Sequence, residues 1–425
     1  MSEQRGLKVK LLPTPEQENK FWQCAGTRRF AYNWALNIQM ESYRETGKNK
    51  SCGELCKLIV QLKHTDPNFN WLNDVSCDIV KQAIKDLDTA YSRYFKKMKE
   101  PGYVPYTKNK IAKSQRTGKP LTTYDRNGHP KFKKKLNCHE GFHQDCMHVR
   151  FIDDYIYIAK IGLVKVAKTD IFPQGLSGTD FKIYNAKVKT NGINWYFIAS
   201  MDIPDEKLNK VEDMIESEPI GIDLGIKDLA ILSDGTVYKN INKTKKVKRL
   251  EKRMKRLQRK VSKKYQKNKK GDKYVKTSNI IKMEKKVLAM RHKLDNIRNN
   301  YRHQTTTAIV KRKPIYIAME DLNVQGMMKN KHLSKSIAEQ GWGYFRIQLE
   351  YKCKSNNIPL IFIDRWYPSS KTCSCCGYIK KDLKLNDRIY NCPICNTVID
   401  RDLNASINIR NQGQIIYEKS IIKAQ

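Results

Sequence analysis

The sequence predicts a multidomain protein of mixed α/β and α+β class. Its 425 residues are enough for two to four domains, because a domain usually has about 150 residues. Strand and helix patterns mix irregularly up to about residue 205, and an acidic, polar stretch at 206–217 is a predicted linker. From residue 218 onward, buried-strand patterns alternate with helical ones, which indicates an α/β domain.

The first elements are predicted from periodicity and capping. Leu7, Val9 and Leu11 alternate with lysines, which is the two-residue period of a half-buried strand. Thr14 at the N-cap and Gln17 at the third helical position match a capping box, so a helix is expected to begin there. Helical patterning continues with breaks to about residue 98.

The next stretch is less regular. Residues 100–135 are rich in Gly, Pro, Lys and Tyr and have little periodicity. Short strand patterns return between residues 149 and 203, for example in Tyr155–Ile158 and Trp195–Ile198. These runs predict a second group of strands that ends before the linker.

The C-terminal half is predicted to contain three strands, a basic helical pair, and then alternating strands and helices. Asp234-Gly235 is a turn dipeptide between two short apolar runs, which predicts a hairpin. The other expected elements are strands at Pro219–Leu224, Ile315–Glu320 and Leu360–Asp364, a helix at about 334–356, and a last helix from about Arg401.

The charge of the chain points to a polyanionic partner. It has 82 Lys+Arg against 43 Asp+Glu, a net charge of +39, which implies nucleic acid more often than any other partner. An anionic membrane is the alternative, but no apolar run approaches the roughly 20 residues of a spanning helix, so no membrane partner is expected. The first 30 residues lack the apolar run of a signal peptide, and the protein is expected inside the cell.

About half of that charge lies in one segment. Residues 241–300 hold 24 Lys+Arg and 4 Asp+Glu, a net charge of +20, and the Gly271-Asp272 pair divides two helical patterns. The segment 241–312 is therefore predicted to be a basic helical hairpin that contacts nucleic acid; the alternative is a solvated pair of surface helices. The candidate contact residues are Lys248, Arg249, Lys252, Arg253, Lys255, Arg256, Arg259 and Lys260.

Three carboxylates stand at matching places in this RNase H-like element order. Asp223 and Glu320 end predicted strands, and Asp402 begins the last helix. If the two strands are parallel neighbours, their carboxyl ends meet at one sheet edge, where ligands of α/β sheets bind. Mg²⁺ prefers such oxygen ligands, and two ions about 4 Å apart can hydrolyse a phosphodiester. The pattern predicts metal-dependent hydrolysis of nucleic acid.

Other acidic residues compete for these roles. A single carboxylate at a strand end is usually a surface residue or a cap. Asp400 competes with Asp402, and as the alternative it would stabilise the helix N-terminus through the helix dipole. Asp228, Asp321 and Asp364 also lie near strand ends.

Five of the twelve cysteines cluster between residues 373 and 395. Cys373-x2-Cys376 is followed 15 residues later by Cys392-x2-Cys395, the spacing of a closed, tetrahedral structural zinc site. Cys375 is surplus and competes with Cys376 for the register, while a redox pair or free buried thiols are the alternatives. A small ribbon with almost no core should take its folding free energy from Zn²⁺.

A second cluster has no clear ligand spacing. It lies in an irregular stretch, where local loop composition explains it as well as a metal does. Its members are Cys138, His139, His143, Cys146 and His148.

Several motifs extend together over nearly the whole length of the chain. They are Arg28–Ala35, Pro130–Lys135, Gly221–Gly225, Met319–Leu322, Gln340–Phe345, Leu349–Lys352, Tyr367–Gly377 and Asp400–Ala405. As a set, these motifs resemble the TnpB (OrfB) family, which is encoded by bacterial and archaeal insertion sequences.

The resemblance implies an RNA-guided DNA endonuclease related to compact type V CRISPR effectors. A RuvC-like domain would hold Mg²⁺ (or Mn²⁺) on Asp223, Glu320 and Asp402. The partners would be a guide RNA from the transposon end and double-stranded target DNA beside a short transposon-adjacent motif. The expected location is the prokaryotic cytoplasm, associated with the nucleoid.

The resemblance also implies a division into domains. A β-barrel wedge domain would be formed by two segments, and a helical recognition domain would be inserted between them. The expected boundaries are 1–13 and 136–205 for the wedge domain, 14–135 for the recognition domain, 218–369 and 399–425 for the nuclease domain, and 370–398 for the zinc ribbon.

Two other functions remain as alternatives. One is a guided DNA-binding repressor that has lost cleavage, against which the three intact carboxylates argue. The other is a transposase, against which the absence of a His-hydrophobic-His pair with a tyrosine nucleophile argues.

Overall fold

The computed structural model describes residues 2–135, 140–167, 181–204, 217–271, 273–384 and 387–422. The chain divides into two compact units, Met1–Asn209 and Lys210–Gln425. The predicted linker at 206–217 lies outside the described residues except for its last residue. Each unit has its own sheet and its own apolar core.

The first unit is built on a seven-stranded sheet whose described pairings are all antiparallel. The predicted N-terminal strand is confirmed, with Leu7, Val9 and Leu11 buried on its inner face. The order of the strands is β2-β6-β7-β1-β5-β4-β3. Their bounds are β1 Ser2–Leu12, β2 Gly141–His143, β3 Val149–Ile152, β4 Tyr155–Ile158, β5 Gly162–Val166, β6 Lys182–Thr190 and β7 Trp195–Pro204.

The helices of the first unit follow β1. The predicted capping box is confirmed, because the Thr14 hydroxyl accepts the N–H of Gln17 at 3.3 Å and the Gln17 side chain accepts the N–H of Thr14 at 3.1 Å. The helices are α1 Pro15–Thr46, α2 Cys52–Thr65, α3 Cys77–Met98 and α4 Lys108–Thr117, with 3₁₀ turns at Pro67–Asp74, Thr123–Asp125 and Cys146–His148.

Helix α4 lies in the stretch whose sequence has little periodicity. None of its residues is buried, so it has no apolar face and leaves no helical period in the sequence. By contrast, α1, α2 and α3 pack around a shared core that includes Leu36, Leu55 and Ile84.

The second unit contains a five-stranded mixed sheet of order β10-β9-β8-β13-β14. Strands β8, β9 and β10 pair antiparallel, whereas β13 pairs in parallel with both β8 and β14. The predicted hairpin turn is confirmed, with Gly235 at φ +84°. The strands are β8 Ile220–Leu224, β9 Asp228–Leu232, β10 Val237–Lys239, β11 Lys269–Lys270, β12 Lys273–Tyr274, β13 Ile317–Glu320, β14 Leu360–Ile363, β15 Ile389–Asn391 and β16 Val398–Asp400.

The helices of the second unit are α5 Lys245–Lys267, α6 Ser278–Val310, α7 Val324–Met327, α8 Ser334–Gln340, α9 Trp342–Ser355 and α10 Arg401–Ile422. The prediction of a single helix at 334–356 is wrong in one respect. The segment forms two helices, because Gly341 adopts φ +67°, a left-handed conformation that does not continue a right-handed helix.

Helices cover both faces of this sheet. On one face, Ile222 and Met319 pack with Ile309 of α6 and with Ile337 and Phe345 of α8 and α9. The opposite face is covered by α10, which contacts β8, β13 and β14. The last turns of α6 are embedded in the unit, with Thr305, Thr306, Ile309 and Val310 buried.

Strand β8 and helix α10 approach each other closely at Gly221. A Cβ atom at this position would lie 2.1 Å from the carbonyl oxygen of Ser406 and 2.6 Å from the amide nitrogen of Arg410. Gly413 of α10 allows a second close approach, because a Cβ atom at this position would lie 2.5 Å from the Cβ of Ala318 on β13. Two glycines therefore set how near α10 lies to the sheet.

Among the described helices, none is both long and apolar enough to cross a membrane.

We expect Gly221→Ala to lower the stability of the protein, because the added methyl group would meet backbone atoms that cannot rotate away. Overpacking of this kind costs about 1–3 kcal/mol. The matched control is Gly343→Ala in α9, where nothing lies within 4 Å of the added atom. Thermal melting of the two variants measures the difference, and equal midpoints would contradict the assigned contact.

Candidate functional site

Asp223 and Glu320 lie at the same edge of the second sheet. They belong to β8 and β13, which are parallel neighbours with Met319 opposite Ile222. Because side chains alternate along a strand, Asp223 lies on the same face as Gly221, and Glu320 on the same face as Ala318. That is the face covered by α10, so the predicted alignment of these two strand ends is confirmed.

Asp402 lies in the first turn of α10, and Asp400 fixes where that helix begins. The Asp400 carboxylate accepts the N–H groups of Asp402 at 2.9 Å and Leu403 at 3.1 Å. It is therefore an N-cap. The Asp402 carboxylate instead accepts hydrogen bonds from the guanidinium of Arg401 at 2.9 and 3.1 Å, and the Arg388 guanidinium lies 3.8 Å away.

The three predicted carboxylates share one electrostatic environment. Burial, together with the negative charges of Glu320 and Asp402, raises the pKa of Asp223 to about 8. Burial also raises the pKa of Glu320. The hydrogen bond that the Ser369 hydroxyl donates to this carboxylate, at 2.6 Å, partly offsets the increase. A buried carboxylate whose pKa is raised by neighbouring carboxylates marks a site suited to a cation.

The competing carboxylates have other partners. Asp321 forms ion pairs with Arg346 at 2.6 Å and with Arg365 at 2.5 Å. Asp228 is buried and lies 3.6 Å from the ammonium of Lys239.

The four predicted zinc cysteines lie together. The Sγ atoms of Cys373, Cys376, Cys392 and Cys395 are all within 4.8 Å of one another. The Cys373–Cys395 pair is separated by 3.6 Å and the Cys376–Cys392 pair by 3.5 Å. A zinc ion with bonds of about 2.3 Å needs tetrahedron edges of about 3.8 Å. The donor set fits zinc, and Cys376 rather than Cys375 completes it.

The surroundings of these cysteines suit a metal-binding ribbon. Strands β15 and β16 flank the second cysteine pair and pair antiparallel with each other. The Tyr390 hydroxyl, on a fully buried side chain, donates to the carbonyls of Lys371 or Tyr378, each at 3.1 Å. Hydrogen bonds from the Thr397 hydroxyl and amide lower the pKa of Cys395 to about 6, which favours the thiolate that zinc binds.

The donor atoms of the carboxylate site are spread more widely than those of the zinc site. Among the described residues, the cysteine cluster is the group of three or more possible ligands whose donor atoms lie within 4.8 Å of one another. Asp223, Glu320 and Asp402 do not meet that limit together.

Sequence reasoning missed the polar residues that join the ribbon to the carboxylates. The Asn408 amide donates to the carbonyls of Ser369 at 2.8 Å and Thr372 at 2.6 Å. The Asn404 side chain donates to the Thr372 carbonyl at 2.6 Å and accepts the N–H of Ser374 at 2.9 Å. The four-residue spacing of Asn404 and Asn408 on one helix face was the available signal.

The predicted basic hairpin is formed by α5 and α6. The eight candidate contact residues of α5, from Lys248 to Lys260, are all exposed, and none forms an ion pair with the part of the chain that the structure describes. The Arg298 guanidinium holds the base of the hairpin, 2.5 Å from Glu251 and 3.4 Å from Glu339.

The structure describes only three of the five residues of the second Cys/His cluster. Cys138 and His139 are outside the described residues. His143 is on β2, and Cys146 and His148 are in a 3₁₀ turn, where the His148 ring lies 3.1 Å from the Asp78 carboxylate.

We expect Asp223→Asn to stabilise the Mg²⁺-free, zinc-loaded protein increasingly as the pH rises. The pKa of Asp223 in the folded protein, about 8, lies above its ordinary value of 3.8. The folded state therefore holds a proton that the unfolded chain releases, and it loses stability between about pH 4 and pH 8. Melting at pH 5 and pH 8 tests this, and an equal gain at both pH values would contradict it.

We expect one zinc ion per chain, which Cys392→Ser should remove. Cys375→Ser is the matched control, because Cys375 lies outside the sulfur cluster. Metal analysis of the purified proteins gives the stoichiometry, and retention of zinc by Cys392→Ser or its loss from Cys375→Ser would overturn the ligand set.

Comparison with known proteins identifies the family. Three family models match: "Helix-turn-helix domain" of OrfB_IS605 at 1–48, "Probable transposase" OrfB_IS605 at 203–331, and "Cas12f1-like, TNB domain" at 342–409. The described part of residues 1–48 is strand β1 followed by the single helix α1.

Curated relatives match along nearly the whole chain. A "Putative RNA-guided DNA endonuclease" of Streptomyces pristinaespiralis is 28% identical, covering 96% of this chain and 89% of that protein. "Putative RNA-guided DNA endonuclease InsQ" of Escherichia coli (strain K12) is 26% identical, covering 98% and 94%. A solved Cas12f1–sgRNA–target DNA complex is a more distant match, with TM-score 0.45, 14% identity and coverage of 96% and 99%. On its family models and curated relatives, the chain belongs to the TnpB (OrfB) family.

Proposed function

We propose that this protein is an RNA-guided DNA endonuclease that hydrolyses phosphodiester bonds with Mg²⁺ or Mn²⁺. One observation carries the proposal: Asp223 and Glu320 end adjacent parallel strands, and Asp402 lies in the same electrostatic environment. The names of the two curated relatives supply the substrate and the guide. The strongly basic composition independently supports the proposal that the partners are nucleic acids.

The topology of the second unit supports a RuvC-like nuclease domain at 218–369 and 399–425. Three antiparallel strands lead into two parallel ones, and the carboxylates lie on the first and fourth strands in chain order, as an RNase H-like order requires. The zinc ribbon is assigned to 370–398. In the first unit, the seven-stranded sheet is the candidate wedge domain, and the helices between 14 and 135 are the candidate recognition domain.

Each residue of the carboxylate site has a role before any strand is cut. Asp223 must release its proton to bind a cation, since its raised pKa leaves it largely protonated at neutral pH. Ser369 orients Glu320 through its hydroxyl group. Arg401 holds Asp402 in place. The bound ions would supply charge neutralisation and a reactive water at neutral pH.

The hairpin supplies the affinity for the nucleic-acid backbone. The eight candidate basic side chains of α5 are exposed and form no ion pairs with the described residues, so they are available to phosphates. Binding through such contacts releases counterions and weakens as salt rises. Target sequence would be selected by base pairing with the guide RNA.

Two alternatives remain open to test. The family model described as "Probable transposase" favours a transposase, which would join transposon ends to a target in a strand-transfer assay. A guided repressor would bind target DNA without cutting it.

We expect Asp223→Ala and Glu320→Ala to reduce target cutting at least about a hundredfold, since each removes a predicted metal ligand. RNA that copurifies with the protein supplies the guide sequence, and cutting of a matched plasmid with and without Mg²⁺ is the measurement.

The control for these variants is Glu418→Ala, an exposed carboxylate near the end of α10. It should cut like the wild-type protein, and all three variants should retain RNA. Undiminished cutting by Asp223→Ala or Glu320→Ala would refute the assigned site.

A further inference from the structure

Trp366 is the one exposed tryptophan among the six in the chain, all of which lie within the described residues. Its side chain is 85% exposed, whereas the other five are buried or half-buried. Tryptophan is enriched at contact surfaces, because it offers a large apolar ring together with a polar N–H group.

The position of Trp366 is fixed on both sides by contacts to Glu320 and to the residue that follows it. On the N-terminal side, the Arg365 guanidinium lies 2.5 Å from Asp321, the residue after Glu320. On the C-terminal side, the Ser369 hydroxyl donates to Glu320 itself at 2.6 Å. The exposed indole therefore belongs to the rim of the proposed cleavage site.

The backbone that presents the indole is ordered by hydrogen bonds. The Asp364 carboxylate accepts the N–H of Trp366 at 2.7 Å, and the Asp364 carbonyl accepts the N–H of Tyr367 at 3.1 Å. The Ser369 carbonyl accepts the amide of Asn408 at 2.8 Å. Such a preorganised platform loses little entropy when a ligand stacks on it.

We propose that Trp366 stacks on an unpaired base of the DNA strand that enters the carboxylate site. This inference rests on the proposed function and adds that the DNA strand is unpaired where it enters the site. Every base has a π face, and exposed aromatic side chains beside cations are the usual platform for single strands. The neighbouring Arg365 side chain is 40% exposed and is the adjacent cation.

The form of the substrate follows from the stacking geometry. Bases inside a duplex already stack on each other, so an indole reaches a base face only where the strand is unpaired. The site is therefore selective for single-stranded DNA over duplex DNA, and Trp366 is a positioning residue for the strand.

The experiment uses the full-length Asp223→Ala protein, which is expected not to cut, with Mg²⁺, a labelled twelve-residue oligothymidylate and a duplex of equal length. Anisotropy measures binding and tryptophan emission measures stacking. We expect the single strand to quench the emission and the duplex not to quench it. Adding Trp366→Phe should abolish most of the quench with less than about a twofold loss of affinity, whereas Trp366→Ala should weaken binding about tenfold.

The matched control is Tyr378→Ala, which removes another exposed aromatic ring from the same unit and should change neither quench nor affinity. Trp366→Leu keeps apolar area without an aromatic face and should behave like Trp366→Ala. All variants should melt within about a degree of the parent, because the indole supports no core.

Two results would overturn the proposal: a quench that persists in Trp366→Phe, or an emission change that depends on protein concentration without DNA, which would mark a contact between copies. In the background with intact Asp223, Trp366→Ala should raise the KM for target cutting about tenfold and Trp366→Phe should not. If single-stranded DNA quenches the emission of the wild-type protein but the protein never cuts DNA, the stacking proposal would stand and the endonuclease assignment would be refuted.

Discussion

The close contact between strand β8 and helix α10 is the constraint on which the proposed site depends. The missing Cβ of Gly221 lets the backbone of α10 lie directly against the sheet. Asp223 is two residues further along the same face, and the first turn of α10 brings Asp402 towards it. Without that approach, two strand ends would carry carboxylates that no third carboxylate could join.

The same helix ties the zinc ribbon to the carboxylates. Asn404 and Asn408 bind the backbone between Ser369 and Ser374, the segment that leads into the first cysteine pair. Ser369 in turn holds Glu320. A ribbon with little apolar core is thus connected to the site by hydrogen bonds, so a zinc ion bound there would be structurally coupled to the orientation of a proposed catalytic side chain.

Features encoded locally were predictable from the sequence, whereas contacts between distant segments were not. Alternation identified β1, the capping box identified the start of α1, and cysteine spacing identified the sulfur cluster, because each depends on neighbours along the chain. The break at Gly341 requires a backbone angle that composition does not reveal. The bond between Ser369 and Glu320 spans 49 residues, and one serine in a polar run carries no sign of its partner.

Helix α6 has a mechanical consequence. Its 33 residues correspond to a rod of about 50 Å, with one end embedded beside the sheet and the other paired with the basic helix α5. Arg298 fastens this rod to α5 and α8. On the proposed function, α6 would set the distance between the residues that bind the nucleic-acid backbone and the carboxylates that cut it. The position of the cut would then follow from the length of this helix.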